Sequence, residues 1–127
     1  MPIRDPQDIV VIRKQVRLFA IEAGFSLVDQ TKVITAASEL ARNALEYGGG
    51  GDMEIALVTN DSNRKGVRLI FADQGPGISN IELALTDGYT SGHGLGMGLS
   101  GSKRLMNEFN LETAPGKGTR VTVTKWK

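Results

Sequence analysis

Asp73-Gln74-Gly75-Pro76-Gly77-Ile78 and Gly92-His93-Gly94-Leu95-Gly96-Met97-Gly98-Leu99 decide how this chain is read. They bound a segment running from Ile70 to Arg104. The first follows an apolar strand pattern, and the second precedes a basic helix pattern. The order is therefore an acid at a strand end, a glycine turn, a polar loop, a second glycine cluster and a helix start. A strand holds its terminal acid in place, and the acid can accept hydrogen bonds from a base. Alternating glycines let backbone N–H groups converge on an anion, and a helix N-terminus adds to that attraction. Such an order suits a nucleotide pocket.

Upstream, Asp5-Pro6 reads as a helix N-cap with proline at the first helical position. Ile9, Ile12, Val16, Phe19 and Ala20 follow at helical spacing until Gly24 ends the helix. Ser26 and Asp29 resemble a capping box for a second helix. Val33, Ile34, Ala37, Leu40, Ala41, Ala44 and Leu45 form its apolar face. Gly48 to Gly51 stop it, because four glycines lose too much backbone entropy to stay helical. Pro2 to Arg4 gives a weak edge-strand signal. Met53–Thr59 and Val67–Ala72 read as a hairpin around the polar loop from Asn60 to Gly66. Ile81, Leu83 and Leu85 suggest one helical turn. A third helix is expected over Leu99–Phe109, then strands over Asn110–Thr113 and Thr119–Trp126 joined by a Pro-Gly loop. The sum is an α/β fold, a two-layer sandwich of a mixed β-sheet with helices on one face. Residues 1–127 are expected to form a single domain.

Composition narrows the function classes. Of 127 residues, 40% are hydrophobic and 23% charged, and the formal charge is +1, so no electrostatic case exists for nucleic acid or an acidic membrane. With no cysteine, disulfides and thiolate chemistry are excluded, and with one histidine besides, a structural zinc site is not expected. No leader or membrane-spanning run is read, and a cytoplasmic location is expected. The 16 glycines fall mostly at 48–51, 75–101 and 116–118, between periodic segments, as turns and ligand loops do.

Glu39 and Asn43 lie four apart on the second helix and share a face. A carboxylate can orient or deprotonate a hydroxyl, and an amide oxygen can ligate magnesium without adding charge. A solvated helix face accounts for the same pair, and Arg42 and Glu46 read equally well as surface charges. Asp73 suits an exocyclic amino group, so adenine fits better than the carbonyl edge of guanine; Asp-x-Gly-Pro-Gly is also ordinary turn chemistry. Gly96-Met97-Gly98-Leu99-Ser100-Gly101 formally matches the dinucleotide fingerprint, but no strand immediately precedes it. No P-loop and no protein-kinase signature set is present. His93, Thr90 and Ser91 can touch a phosphate or merely occupy a loop. Lys103 and Arg104 can assist a phosphate or face solvent. Thr119 can reach a base or serve as a β-branched strand residue.

Four motifs in order carry a resemblance. Glu39-Leu40-Ala41-Arg42-Asn43-Ala44 resembles the N-box of the GHKL (Bergerat-fold, histidine kinase-like) ATPases. Asp73-Gln74-Gly75-Pro76-Gly77, Gly94-Leu95-Gly96-Met97-Gly98-Leu99 and Gly116-Lys117-Gly118-Thr119 resemble its three glycine boxes. Within that superfamily, Ser38-Glu39-Leu40-Ala41-Arg42-Asn43 resembles the anti-sigma-factor serine/threonine kinases. The RsbT-type switch kinases of the stressosome are the nearer match, through Val28-Asp29-Gln30, Asp87-Gly88-Tyr89-Thr90-Ser91-Gly92, Lys103-Arg104-Leu105-Met106, Glu108-Phe109 and Lys125-Trp126. The stretch before Asp5 is short for the family, so a truncated first strand is expected.

The resemblance implies roles. Glu39 would be the catalytic base and Asn43 the magnesium ligand. Asp73 would bind the adenine amino group, with Gly77 and Thr119 beside the base. Gly94, Gly96 and Gly98 would hold phosphates, and Gly75, Leu95 and Met97 complete the ATP-binding set. It also implies ATP with Mg2+, a serine or threonine acceptor on a STAS-domain scaffold or antagonist, and later binding of a PP2C-type phosphatase. Two rival readings remain at this level: a sigma-factor-binding anti-sigma kinase, and a nucleotide-gated sequestration module without transfer.

Overall fold

A computed structural model describes residues 1–75, 98–113 and 116–127. The expected turn at Ile81–Leu85 lies outside these residues, as does His93. The order of elements is β1 (Pro2–Ile3), α1 (Pro6–Glu22), α2 (Leu27–Glu46), β2 (Gly51–Thr59), β3 (Lys65–Asp73), α3 (Gly98–Leu105), β4 (Glu108–Thr113) and β5 (Thr119–Trp126). The sheet runs β1-β2-β3-β5-β4, and each pairing is antiparallel. The short first strand matches the expectation.

Local chemistry sets the helix ends. Asp5 Oδ1 accepts the Gln7 N–H at 2.9 Å, and Asp8 Oδ2 accepts the Asp5 N–H at 3.3 Å. This reciprocal box belongs to α1. On α2, Ser26 Oγ accepts the Asp29 N–H at 3.2 Å. α1 ends in a Schellman turn: Gly24 N–H donates to Ile21, Phe25 N–H donates to Ala20, and Gly24 has φ +83°. α2 ends where Gly48 and Gly50 both donate to the Ala44 carbonyl. Gly49 and Gly50 then turn the chain into β2 with φ +72° and +103°.

The core lies between the helices and one face of the sheet. Ile12, Val16 and Ala20 of α1 meet Val33, Ala37, Leu40 and Ala44 of α2, above Met53, Leu69, Phe71, Val121 and Val123. The alanines let α2 approach closely. Lys125 is also buried, 6% exposed, with Nζ 3.7 Å from Asp29 Oδ1 in the first turn of α2. Outside the core, Val10, Val11, Leu18, Ile21, Leu27 and Val28 stay exposed on the helical layer. Among the described residues no helix is long and apolar enough to cross a membrane.

One expected element is shorter than its pattern. The third helix stops at Leu105 rather than Phe109. Asn107 draws the chain into the sheet: its N–H donates to the Thr124 carbonyl, and its Oδ1 accepts the Trp126 N–H at 2.8 Å. Phe109 then lies opposite Val123 and packs on the core from β4. A half-apolar strand of six residues can imitate two turns of helix in sequence.

Candidate nucleotide site

Asp73 is the last residue of β3, between Gly51 of β2 and Thr119 of β5. Its Oδ1 accepts the Gly75 N–H at 2.9 Å. Burial pushes its carboxyl above the ordinary value of 3.8, and the backbone N–H groups of Gly75 and Thr119 oppose that shift. The desolvation prevails, so the site holds a carboxylate at some cost.

The surrounding backbone leaves no room for side chains. A Cβ on Gly48 would overlap Asp73 Cγ and stand 2.6 Å from Asp73 Cβ. One on Gly75 would stand 2.5 Å from Gly48 Cα. At Gly118, with φ +77°, it would overlap the Asp73 carbonyl oxygen. Three glycines from distant parts of the chain thus close on one acid. Near it, the Thr119 and Thr113 hydroxyls are 3.0 Å apart. A cavity of about 420 Å³ opens at these strand ends, lined in part by Asp73, Gln74, Thr113, Lys117 and Thr119.

The second half of the site is on α2. Glu39 is 6% exposed, and Asn43, one turn later, is half-buried. The Asn43 carbonyl accepts the N–H groups of Tyr47 and Gly48, so Asn43 sits one turn before the glycine that abuts Asp73. Glu39 Oε1 accepts a hydrogen bond from Arg42 Nη1 at 2.5 Å. Among the described residues no group of three His, Asp or Glu could hold a metal alone. An amide oxygen beside substrate phosphates is a donor set that suits magnesium, which keeps most of its shell from water and phosphate.

Of the residues singled out in sequence, Asp73, Gly75 and Thr119 come together at one end of the sheet, and Asn43 lies near the end of α2, one turn before Gly48. Glu39 lies on the same flank of α2 as Asn43. Gly98 is the first residue of α3, whose helix packs on α2. Gly77, Gly94, Leu95, Gly96 and Met97 lie outside the described residues. Lys103 and Arg104 are exposed. One participant escaped the sequence reading. Gly48 was seen only as part of a helix stop, and its contact with Asp73 leaves no local signal. The sequence leaves Arg42 open between a surface charge and a site residue, and its i+3 spacing from Glu39 allows the pair that the structure shows.

Residues 28–127 match the family described as histidine kinase-, DNA gyrase B-, and HSP90-like ATPase. This chain belongs to that family. It is 47% identical over 119 residues to the serine/threonine-protein kinase RsbT of Bacillus subtilis (strain 168), covering 94% of this chain and 89% of that one. It is 34% identical over 119 residues to the anti-sigma F factor of Clostridium acetobutylicum, covering 89% and 81%. Within the ATPase family it is thus a partner-switching serine/threonine kinase. Among solved structures, the RsbU and RsbW domains of a Mycobacterium tuberculosis protein share the fold with a TM-score of 0.65 and 22% identity, over 98% of this chain and 30% of that one. The mycobacterial sensor histidine kinase MprB shares it with a TM-score of 0.57 and 21% identity, over 76% and 71%.

Proposed function

We propose that this kinase uses Mg-ATP to phosphorylate a serine or threonine of a STAS-domain scaffold or antagonist, and that it then binds a PP2C-type phosphatase. The observation that carries this reading is a buried Glu39 one turn from Asn43, on a helix whose end abuts the Asp73 cradle. Asp73 would accept the adenine amino group, with Gly75, Gly77 and Thr119 beside the base. Gly94 to Gly98 would hold the phosphates. Bound magnesium would neutralise phosphate charge, and Asn43 would be its ligand from the protein. Glu39 would orient the acceptor hydroxyl and take its proton as the new O–P bond forms and the bond to the β,γ-bridging oxygen breaks. ADP leaves, and the proton passes to solvent. Most of the catalysis in such a site is positioning and charge neutralisation.

Protein partners have a surface available. Val10, Val11, Leu18 and Ile21 are exposed on α1, among exposed Arg13, Lys14 and Arg17. An apolar stripe with a basic fringe favours an apolar partner with acidic residues at its rim. The similarity to anti-sigma F factors supports a second reading, in which a sigma factor occupies this surface.

The test supplies ATP labelled at the γ-phosphate, magnesium and candidate STAS-domain proteins. Label should appear on serine or threonine of one candidate. Glu39→Ala should lower that transfer by about 10²- to 10⁴-fold, the usual contribution of a general base. Asn43→Ala should abolish it with the fold intact by circular dichroism. Full transfer in Asn43→Ala would remove the magnesium assignment. Tight ATP binding with no label on any candidate would favour sigma binding or sequestration.

A further inference from the structure

We infer that Arg42 is the positioning residue for Glu39, and the inference rests on Glu39 being the base proposed above. Arg42 Nη1 lies 2.5 Å from Glu39 Oε1; the arginine side chain is 32% exposed and the glutamate side chain 7%. Exposed ion pairs at this spacing contribute little, because water competes for both partners. Here the carboxylate is withdrawn from water while the guanidinium stands at the rim. The bond is charge-assisted, and it binds the carboxylate from its solvent side.

Helix geometry gives the pair a direction. At 3.6 residues per turn, Arg42 lies about 60° round the helix from Glu39 on one side, and Asn43 about 40° on the other. Arg42 therefore ties one carboxylate oxygen from the flank away from Asn43. The second oxygen is left for the acceptor hydroxyl. Without Arg42 the carboxylate loses its tether and the side chain that covers it on the solvent side, and its rotamers spread. A base that is present but misaligned slows the chemical step without loosening ATP, since the adenine cradle around Asp73 is built from other residues.

The experiment compares the wild-type chain with Arg42→Ala, Arg42→Lys and the control Lys32→Ala, which alters an exposed charge on the same helix. Arg42→Ala should reduce the rate of transfer to the acceptor at saturating ATP by about tenfold to hundredfold, the range expected for a misplaced catalytic group. Its ATP Kd by calorimetry should stay within about twofold, since binding and positioning separate here. Arg42→Lys should recover most of the rate, because the observed contact is a single bond that an ammonium can supply. Guanidinium added at low concentration should also restore part of the rate to Arg42→Ala. The Glu39 carboxyl resonance by NMR should move in Arg42→Ala and not in Lys32→Ala. An unchanged transfer rate in Arg42→Ala, or a loss that follows ATP affinity, overturns the inference. A wild-type chain that labels no acceptor overturns the kinase reading instead. In that event an unmoved Glu39 resonance overturns the pairing as well, and a moved one supports it.

Discussion

The two ends of strand β3 are packed in the same way and do opposite things with their polar groups. At the Lys65 end, Trp126 lies over Gly66, where a Cβ would stand 2.6 Å from Trp126 Cε3. The indole N–H donates to Glu108 Oε2 at 2.6 Å, and Arg64 Nε donates to the Lys127 carbonyl at 2.9 Å. Asn60 Oδ1 accepts the N–H groups of Ser62 and Arg64, closing the hairpin loop. These charges are exposed or paired. At the Asp73 end, Gly48 and Gly75 close on the carboxyl group and Gly118 on the backbone of an acid whose desolvation outweighs its hydrogen bonds. Close backbone approach is therefore not itself a mark of function. What distinguishes the Asp73 end is an acid held against its own solvation preference.

Substitutions at the two ends should separate stability from ligand binding. The largest effect is expected for Gly48→Ala. Overpacking against Asp73 should cost about 1–3 kcal/mol of stability by denaturant melts. The displaced acid should also weaken ATP by about tenfold to hundredfold, as for a lost hydrogen bond to a charged group. A stable Gly48→Ala variant with normal ATP affinity would erase the contrast.

Asp73→Asn should lower ATP affinity by about 2 kcal/mol, since an amide can present a donor where the adenine amino group needs an acceptor. Its stability at neutral pH should match or exceed wild type, because the desolvated charge is gone. The pH dependence sharpens this. The folded-state pKa of Asp73 is raised, so proton binding favours the fold. That contribution is complete below the ordinary value of 3.8 and is lost as pH rises through the raised value. Relative to Asp73→Asn, wild type should gain stability as pH falls through this window. Over the same window its ATP affinity should fall, because the protonated acid no longer only accepts. Parallel pH profiles for the two proteins would contradict the assignment.

At the opposite end, Gly66→Ala should cost about 1–3 kcal/mol through its clash with Trp126 and the Lys125 carbonyl, with ATP affinity unchanged. The smallest effect is expected for Trp126→Phe, which removes the exposed bond to Glu108 at about 1 kcal/mol or less.

Much of the fold was legible because its signals are local. Asp5-Pro6, Ser26, Gly24 and the glycine run mark helix ends through the backbone of their own neighbours. The strand patterns in Val67–Ala72 and Thr119–Trp126 place Val67, Leu69, Phe71, Val121 and Val123 on the core face. The third helix was misjudged at Phe109, where the bonds that decide the ending come from Thr124 and Trp126, far along the chain. Within the site, Glu39, Asn43, Asp73 and Thr119 were legible as residue types that chemistry can use. Arg42 was visible, but its partner was not decided, since an arginine on a helix has several neighbours within reach.

The sequence by itself determined which residues alternate, which stop a helix and which acids and amides stand beside glycines, because these depend on neighbours along the chain. It determined the family through four motifs in order. Only the tertiary structure decided that Gly48, Gly75 and Gly118 enclose Asp73, that Glu39 is withdrawn from water while Arg42 stays at the rim, and that Lys125 is buried beside Asp29. Desolvation depends on what the fold places around a group, and the residues that surround these charges are brought there from both halves of the chain.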